Sequence, residues 1–111
     1  MRTIFFKKIE NTSAIAAVGF WQPTESQLSE NDIAKYAPFN NLTIYNNSDK
    51  DAEVRFQGVT EADKGVEFLP AGAALQWDTD DIKFYRPTIY NKHATLSISA
   101  NDIIIQLRKV V

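Results

Sequence analysis

Between Asn40 and Arg108 apolar and polar residues alternate in short runs, and turn chemistry breaks each run after a few residues. The runs are Asn41-Leu42-Thr43-Ile44-Tyr45, Ala52-Glu53-Val54-Arg55-Phe56, Val66-Glu67-Phe68-Leu69, Ala74-Leu75-Gln76-Trp77, Ile82-Lys83-Phe84-Tyr85, Thr95-Leu96-Ser97-Ile98 and Ile103-Ile104-Ile105-Gln106-Leu107. Short runs at regular spacing predict antiparallel strands in a sandwich or barrel rather than a parallel sheet. Alternation also assigns faces, because successive side chains on a strand point to opposite sides. Val54 and Phe56 oppose Glu53, Arg55 and Gln57, while Leu96 and Ile98 oppose Thr95, Ser97 and Ser99. Trp77 is in phase with Leu75 and is expected in the core; Tyr45 and Tyr85 are out of phase with their neighbours and are expected at the surface.

The last run departs from the rule. Ile103, Ile105 and Leu107 make one apolar row, but Ile104 and Val110 put apolar groups on the other side. Such a strand is either central and covered on both faces, or its outer face meets a partner.

Each interruption has a local cause. Asn46 to Asp51 is rich in residues that bond their own backbone and tolerate left-handed geometry. Gly58 to Gly65 is a polar connection, Leu69-Pro70-Ala71-Gly72 is a turn, and Asp78-Thr79-Asp80-Asp81 is another. Pro87 cannot donate a ladder hydrogen bond, so Arg86-Pro87 either interrupts a strand or begins its edge.

The first 38 residues are less regular. Thr3-Ile4-Phe5-Phe6, followed by Lys7 and Lys8, suits a strand at a sheet edge, where lysines discourage stray pairing. Ile15 to Trp21 is apolar without alternation and is read as a strand. Ser29-Glu30-Asn31-Asp32 carries a helix start, with Ser29 as N-cap and acids in the first turn. Pro38 ends it, which predicts one short helix at residues 30–36.

A chain of 111 residues is enough for one domain and too short for two. Seven Phe, four Tyr and two Trp supply the bulk to fill the space between two small sheets. Residues 39–111 form the main strand region, and residues 1–38 either complete the sandwich or serve as a contact arm. The formal net charge of −2, with acids and bases interleaved, gives no footprint for nucleic acid. No secretory signal is expected from the opening residues, and no stretch approaches the ~20 apolar residues of a membrane span.

The residues that carry chemistry elsewhere are sparse. Cysteine is absent and His93 is the only histidine, so the usual zinc ligand sets cannot be assembled. A hydrolytic triad would need a serine on a nucleophile elbow converging on His93, and no such elbow is present. Asp78 to Asp81 places three carboxylates in four residues, but without the distal acid of an EF-hand the run reads as a solvated turn. Asn-x-Ser/Thr triplets begin at Asn11, Asn41 and Asn46, as expected by chance in an asparagine-rich chain. No catalytic, cofactor-binding or metal-ligating residue is expected.

Leu42 to Asp49, Ala52 to Gly58, Phe68-Leu69-Pro70-Ala71-Gly72-Ala73 and Ala94 to Ile98 together resemble small β-sandwich virion proteins of bacteriophages. The resemblance spans about residues 40–100 and lies in the order of turns. It implies a jelly-roll-like, all-β antiparallel sandwich and a non-enzymatic structural role as a vertex (penton), decoration or minor capsid protein. It also implies contacts with other capsid proteins and with copies of itself, a pentamer at a fivefold vertex, and residence in the virion after synthesis in the host cytoplasm. Phe5, Phe6, Tyr45, Tyr85 and Ile104 are the candidate subunit contacts. Trp21, Trp77, Tyr45, Tyr85 and Tyr90 suggest the alternative, a carbohydrate- or receptor-binding module whose aromatic rings form a platform for a glycan.

Overall fold

A computed structural model describes residues 2–57, 66–78 and 83–111. Its elements are β1 (Thr3–Glu10), β2 (Phe20–Trp21), α1 (Glu30–Tyr36), β3 (Asn41–Asn46), β4 (Ala52–Gln57), β5 (Val66–Leu69), β6 (Ala74–Trp77), β7 (Arg86–Asn91) and β8 (Ile103–Val110). Two four-stranded antiparallel sheets, β1-β8-β3-β6 and β2-β7-β4-β5, pack together as a sandwich. The pairing is nested: β4 pairs with β5, β3 with β6, β2 with β7 and β1 with β8. The chain is therefore one long hairpin rolled up, and β3–β8 and β4–β7 contacts close the roll into two sheets. This is the eight-stranded jelly roll, an architecture that limits exposed sheet edges by wrapping.

The core follows the alternation. Leu42, Ile44, Val54, Phe56, Ile103, Ile105 and Leu107 are all buried between the sheets, as is Trp77. Strand β8 lies between β1 and β3, which accounts for its apolar outer row: Ile104 is half-buried between Glu10 and Tyr45. A chain of aromatic contacts crosses the interior from Tyr36 through Phe5, Phe39, Phe84 and Phe56 to Trp77, with ring centroids 4.7, 5.5, 6.1, 4.8 and 5.3 Å apart. These are the separations at which aromatic pairs attract beyond their area alone.

Helix α1 starts where its N-cap chemistry places it. Ser29 is extended at ψ 155°, and its side chain accepts from the Asp32 N–H at 3.0 Å. None of its seven residues is fully buried, but Ile33 and Tyr36 rest on the core and Leu28 just before it is buried.

Three expectations need correction. Residues 95–98 are not a strand: only Ile98 bridges, to Ile15, and Leu96 is exposed instead of sharing the core with Ile98. Of Ile15 to Trp21, only Phe20–Trp21 is strand. In the run from Ile82 to Tyr85, Ile82 lies outside the described residues, and Phe84 makes an isolated bridge to Phe39. The strand in that region is instead β7, which begins at Arg86 and includes Pro87 in the second sheet. Asn91 donates its N–H to Gly19, towards β2, so the backbone nitrogens of residues 89 and 87 face the same edge. Strand β2 ends at Trp21, opposite Ile89, so the nitrogen of Pro87 faces past the end of its neighbour and no ladder bond is lost.

Phe84→Ala removes the centre of the aromatic chain, where Phe84 is fully buried. It should lower unfolding stability by roughly 3–5 kcal/mol, read from urea denaturation. Ser29→Ala should cost about 1 kcal/mol, the usual loss of an N-cap.

Candidate functional site

The two outer faces differ in chemistry. On the first sheet the register lines up Glu10, Ile104, Tyr45 and Ala74 in one row and Lys8, Gln106, Thr43 and Gln76 in the next. Phe6, Arg108 and Asn41 follow, with the Arg108 guanidinium 5.1 Å from the Phe6 ring centre. Polar groups interrupt every row, and Tyr45 and Ile104 are half-buried side by side.

On the second sheet one row reads Phe20, Tyr90, Glu53 and Phe68 across all four strands. Phe20 and Phe68 at its two ends are 62% and 57% exposed, and Val66 beside Arg55 is also open. In the middle, Arg55 lies over the Tyr90 ring at 4.2 Å and pairs with Glu53 at 2.8 Å through both Nε and Nη2. The central charges are thus neutralised locally, and the Phe20 ring leans on Tyr90 at 5.6 Å. The face is an apolar band around a closed ion pair.

Val18, two residues before Phe20, is 75% exposed and has a φ of +55°. A β-branched residue in the left-handed region is strained, because its Cβ crowds the following carbonyl. Local hydrogen bonds hold it there: its N–H donates to His93 O, and Gly19 N–H donates to Ala16 O. An added Cβ at Gly19 would sit 3.0 Å from that same carbonyl oxygen, so the turn favours a residue without one.

The five candidate contacts from sequence are distributed over the molecule. Tyr45 and Ile104 adjoin each other on the first sheet, and Phe6 lies open on the same face. Phe5 directs its ring to Tyr36 and Phe39 against the core, and Tyr85, 42% exposed, follows the Phe84 bridge. They do not form one site. The exposed apolar residues Phe20, Phe68 and Val66 were missed because Val66 and Phe68 flank Glu67 as a core-facing row would, and β2 is too short to alternate. Their signal is visible only in the cross-strand register.

His93 has a structural task. Its Nδ1 accepts from the N–H groups of Thr95 and Leu96 at 3.1 and 2.9 Å and so shapes the loop after β7. Among the described residues no three His, Asp or Glu side chains are placed to hold a metal, and no helix is long and apolar enough to cross a membrane. Most of the Asp78 to Asp81 turn lies outside the described residues.

Buried asparagines fix the loops at one end of the roll. Asn91 Nδ2 donates to the carbonyls of Ile15, Ala16 and Leu96, and its Oδ1 accepts from His93 N–H. Asn46 reaches the carbonyls of Lys50, Leu69 and Pro70 while accepting from Ser48. Asn11 bonds Ser13 and Ser99 carbonyls and accepts from Ile103 N–H. Beside them, the carboxyl of Asp49 is held below its ordinary value, first by the hydrogen bond from Lys50 and then by that residue's charge. The sign follows: any stabilisation is present above the unfolded carboxylate pKa and fades as pH falls through the lower folded one. Full exposure to solvent keeps it small.

Asn91→Ala should destabilise the fold by roughly 2–4 kcal/mol, since it strands several backbone groups at once. Asn91→Asp should cost more at neutral pH, because it turns an acceptor charge towards three carbonyls. Val18→Asn should raise stability by about 0.5–1 kcal/mol in the same urea assay, as asparagine tolerates left-handed geometry.

Compared with protein-family models, curated proteins and solved structures, the chain matches none of them.

Proposed function

We propose that the chain is a non-enzymatic structural protein of a bacteriophage virion, a vertex (penton), decoration or minor capsid component that works through contacts with other subunits. The observation that carries this reading is the apolar band of Phe20, Phe68 and Val66 on a sheet face built from four paired strands. Exposed aromatic and aliphatic side chains gathered on one face of a rigid scaffold are a mark of a protein contact. The jelly roll supports the reading by analogy, since capsid domains use it, and the turn pattern over residues 40–100 supports it by resemblance.

A second reading, a carbohydrate- or receptor-binding module, draws on the exposed Tyr85 ring and on the use of the same fold by lectins. The two readings separate experimentally. Tagged protein should co-sediment with assembled phage particles and be located on them by electron microscopy. Phe20→Ser with Phe68→Ser should weaken that association while leaving the urea midpoint nearly unchanged, because both residues are already exposed. Absence from particles, together with glycan-array binding that disappears in Tyr85→Ala or Tyr45→Ala, would replace the structural reading with the second.

A further inference from the structure

The outer face of β2-β7-β4-β5 is complementary to itself. Four rows of residues cross it in register, beginning with Arg86 and Gln57. Thr88, Arg55 and Val66 form one, Phe20, Tyr90, Glu53 and Phe68 the next. Lys92 and Asp51 continue the ladder by one step, joined by the Lys92 N–H to the Asp51 carbonyl. Carbonyl and amide aside, these two side chains are exposed and oppositely charged, one on the β7 side and one on the β4 side.

We propose that a second copy of this chain docks on this face, the two sheets meeting about a twofold axis that runs along the strands between β7 and β4. This deepens the subunit-contact reading above and rests on it. Such an axis exchanges left and right without changing height along the strands. Strand β2 then faces β5 of the second copy, and β7 faces β4. Two rows meet their own reverse order: Phe20 lies over Phe68 of the second copy, the Tyr90 hydroxyl meets the Glu53 carboxylate, and Lys92 meets Asp51. Each contact occurs twice, as an isologous interface requires. Aligned sheet-on-sheet packing tolerates the rotation of roughly 30° that twisted sheets impose.

Charge favours a copy over an unrelated partner. On this face Lys92 and Arg55 stand against Asp51 and Glu53, and Arg86 is paired with Glu30 of α1 at 3.1 Å, so the charges balance and the face attracts its own reverse. A stable interface takes about 800 Å² from each partner, a modest share of the 5997 Å² of accessible surface here. The exposed rings at both ends of the central row would supply its apolar anchors.

The chain has no cysteine, which makes cross-linking a clean test. Packed sheets lie about 10 Å apart, more than the roughly 7 Å a disulfide can span, so a short bismaleimide is the suitable probe. Mixing Phe20→Cys protein with Phe68→Cys protein and adding that reagent should yield a covalent dimer containing one of each, because like positions on the two copies are separated by about 14 Å across the strands alone. Either variant alone should cross-link far less. In sedimentation velocity the unmodified protein should be a dimer at high concentration. Lys92→Asp, which sets acid against acid, should weaken it about tenfold or more, and Lys92→Asp with Asp51→Lys should restore most of the loss.

A protein monomeric at all concentrations overturns the proposal, as does Phe20→Cys cross-linking to itself in preference to Phe68→Cys, or failure of the double charge swap to restore affinity in a folded protein. The two readings fail separately. A monomer that still binds phage particles removes the self-docking and keeps the virion role, whereas a dimer absent from particles keeps the self-docking and removes the virion role.

Discussion

Loops that are folded back over a sandwich end must find partners for their buried backbone groups, and in this chain side-chain amides meet that demand. An asparagine carries a donor and an acceptor in the geometry of a peptide group, so it can stand in for a missing strand. Asn40 does so most directly: it accepts from Val110 N–H at 2.9 Å and donates to Val110 O at 2.7 Å, extending the β3–β8 ladder by a side chain. Asn11, Asn46 and Asn91 serve the opposite end, each reaching at least two carbonyls, at least one of them from a segment distant in sequence. Among the described residues no buried side-chain nitrogen or oxygen lacks a partner. With its loops tied in this way the roll can hold its register fixed.

Local chemistry made much of the fold legible. The helix could be placed because an N-cap, first-turn acids and a terminating proline act within a few residues of each other. Strands β3, β4, β6 and β8 could be placed because a half-buried strand writes its two faces into alternate positions. The failures have a common origin in non-local geometry. Leu96 and Ile98 alternate like a strand, yet the segment is shaped by His93 and Asn91 and pairs only at Ile98. Pro87 looks like a breaker until the shortness of β2 shows that its nitrogen faces no partner.

The surface was less legible than the core for the same reason. Tyr45 and Tyr85 stood out because they are out of phase with the apolar residues of their own runs. Phe20 and Phe68 stood out only once β7 and β4 brought them into one row, since each belongs to a segment too short for its alternation to assign a face. Ile104 was ambiguous in sequence, and its place beside Tyr45 on a central strand explains half of its apolar character without a partner. Polar rows on the first sheet and exposed rings at both ends of a row on the second give the sandwich two unlike sides, so its associations would have a direction.

The nested pairing also imposes an order in time. Among the described residues strand β1 pairs only with β8, some hundred residues later, and Arg2 and Val111 exchange backbone hydrogen bonds at 2.7 and 2.8 Å. On a ribosome the innermost hairpin, β4–β5, can close early, but β1 must wait until almost the whole chain has emerged. Topologies dominated by such distant pairings fold slowly. During that delay the strand carries Ile4, Phe5 and Phe6 unpaired, and Lys7 and Lys8 within it are the charges that keep it from joining the wrong edge.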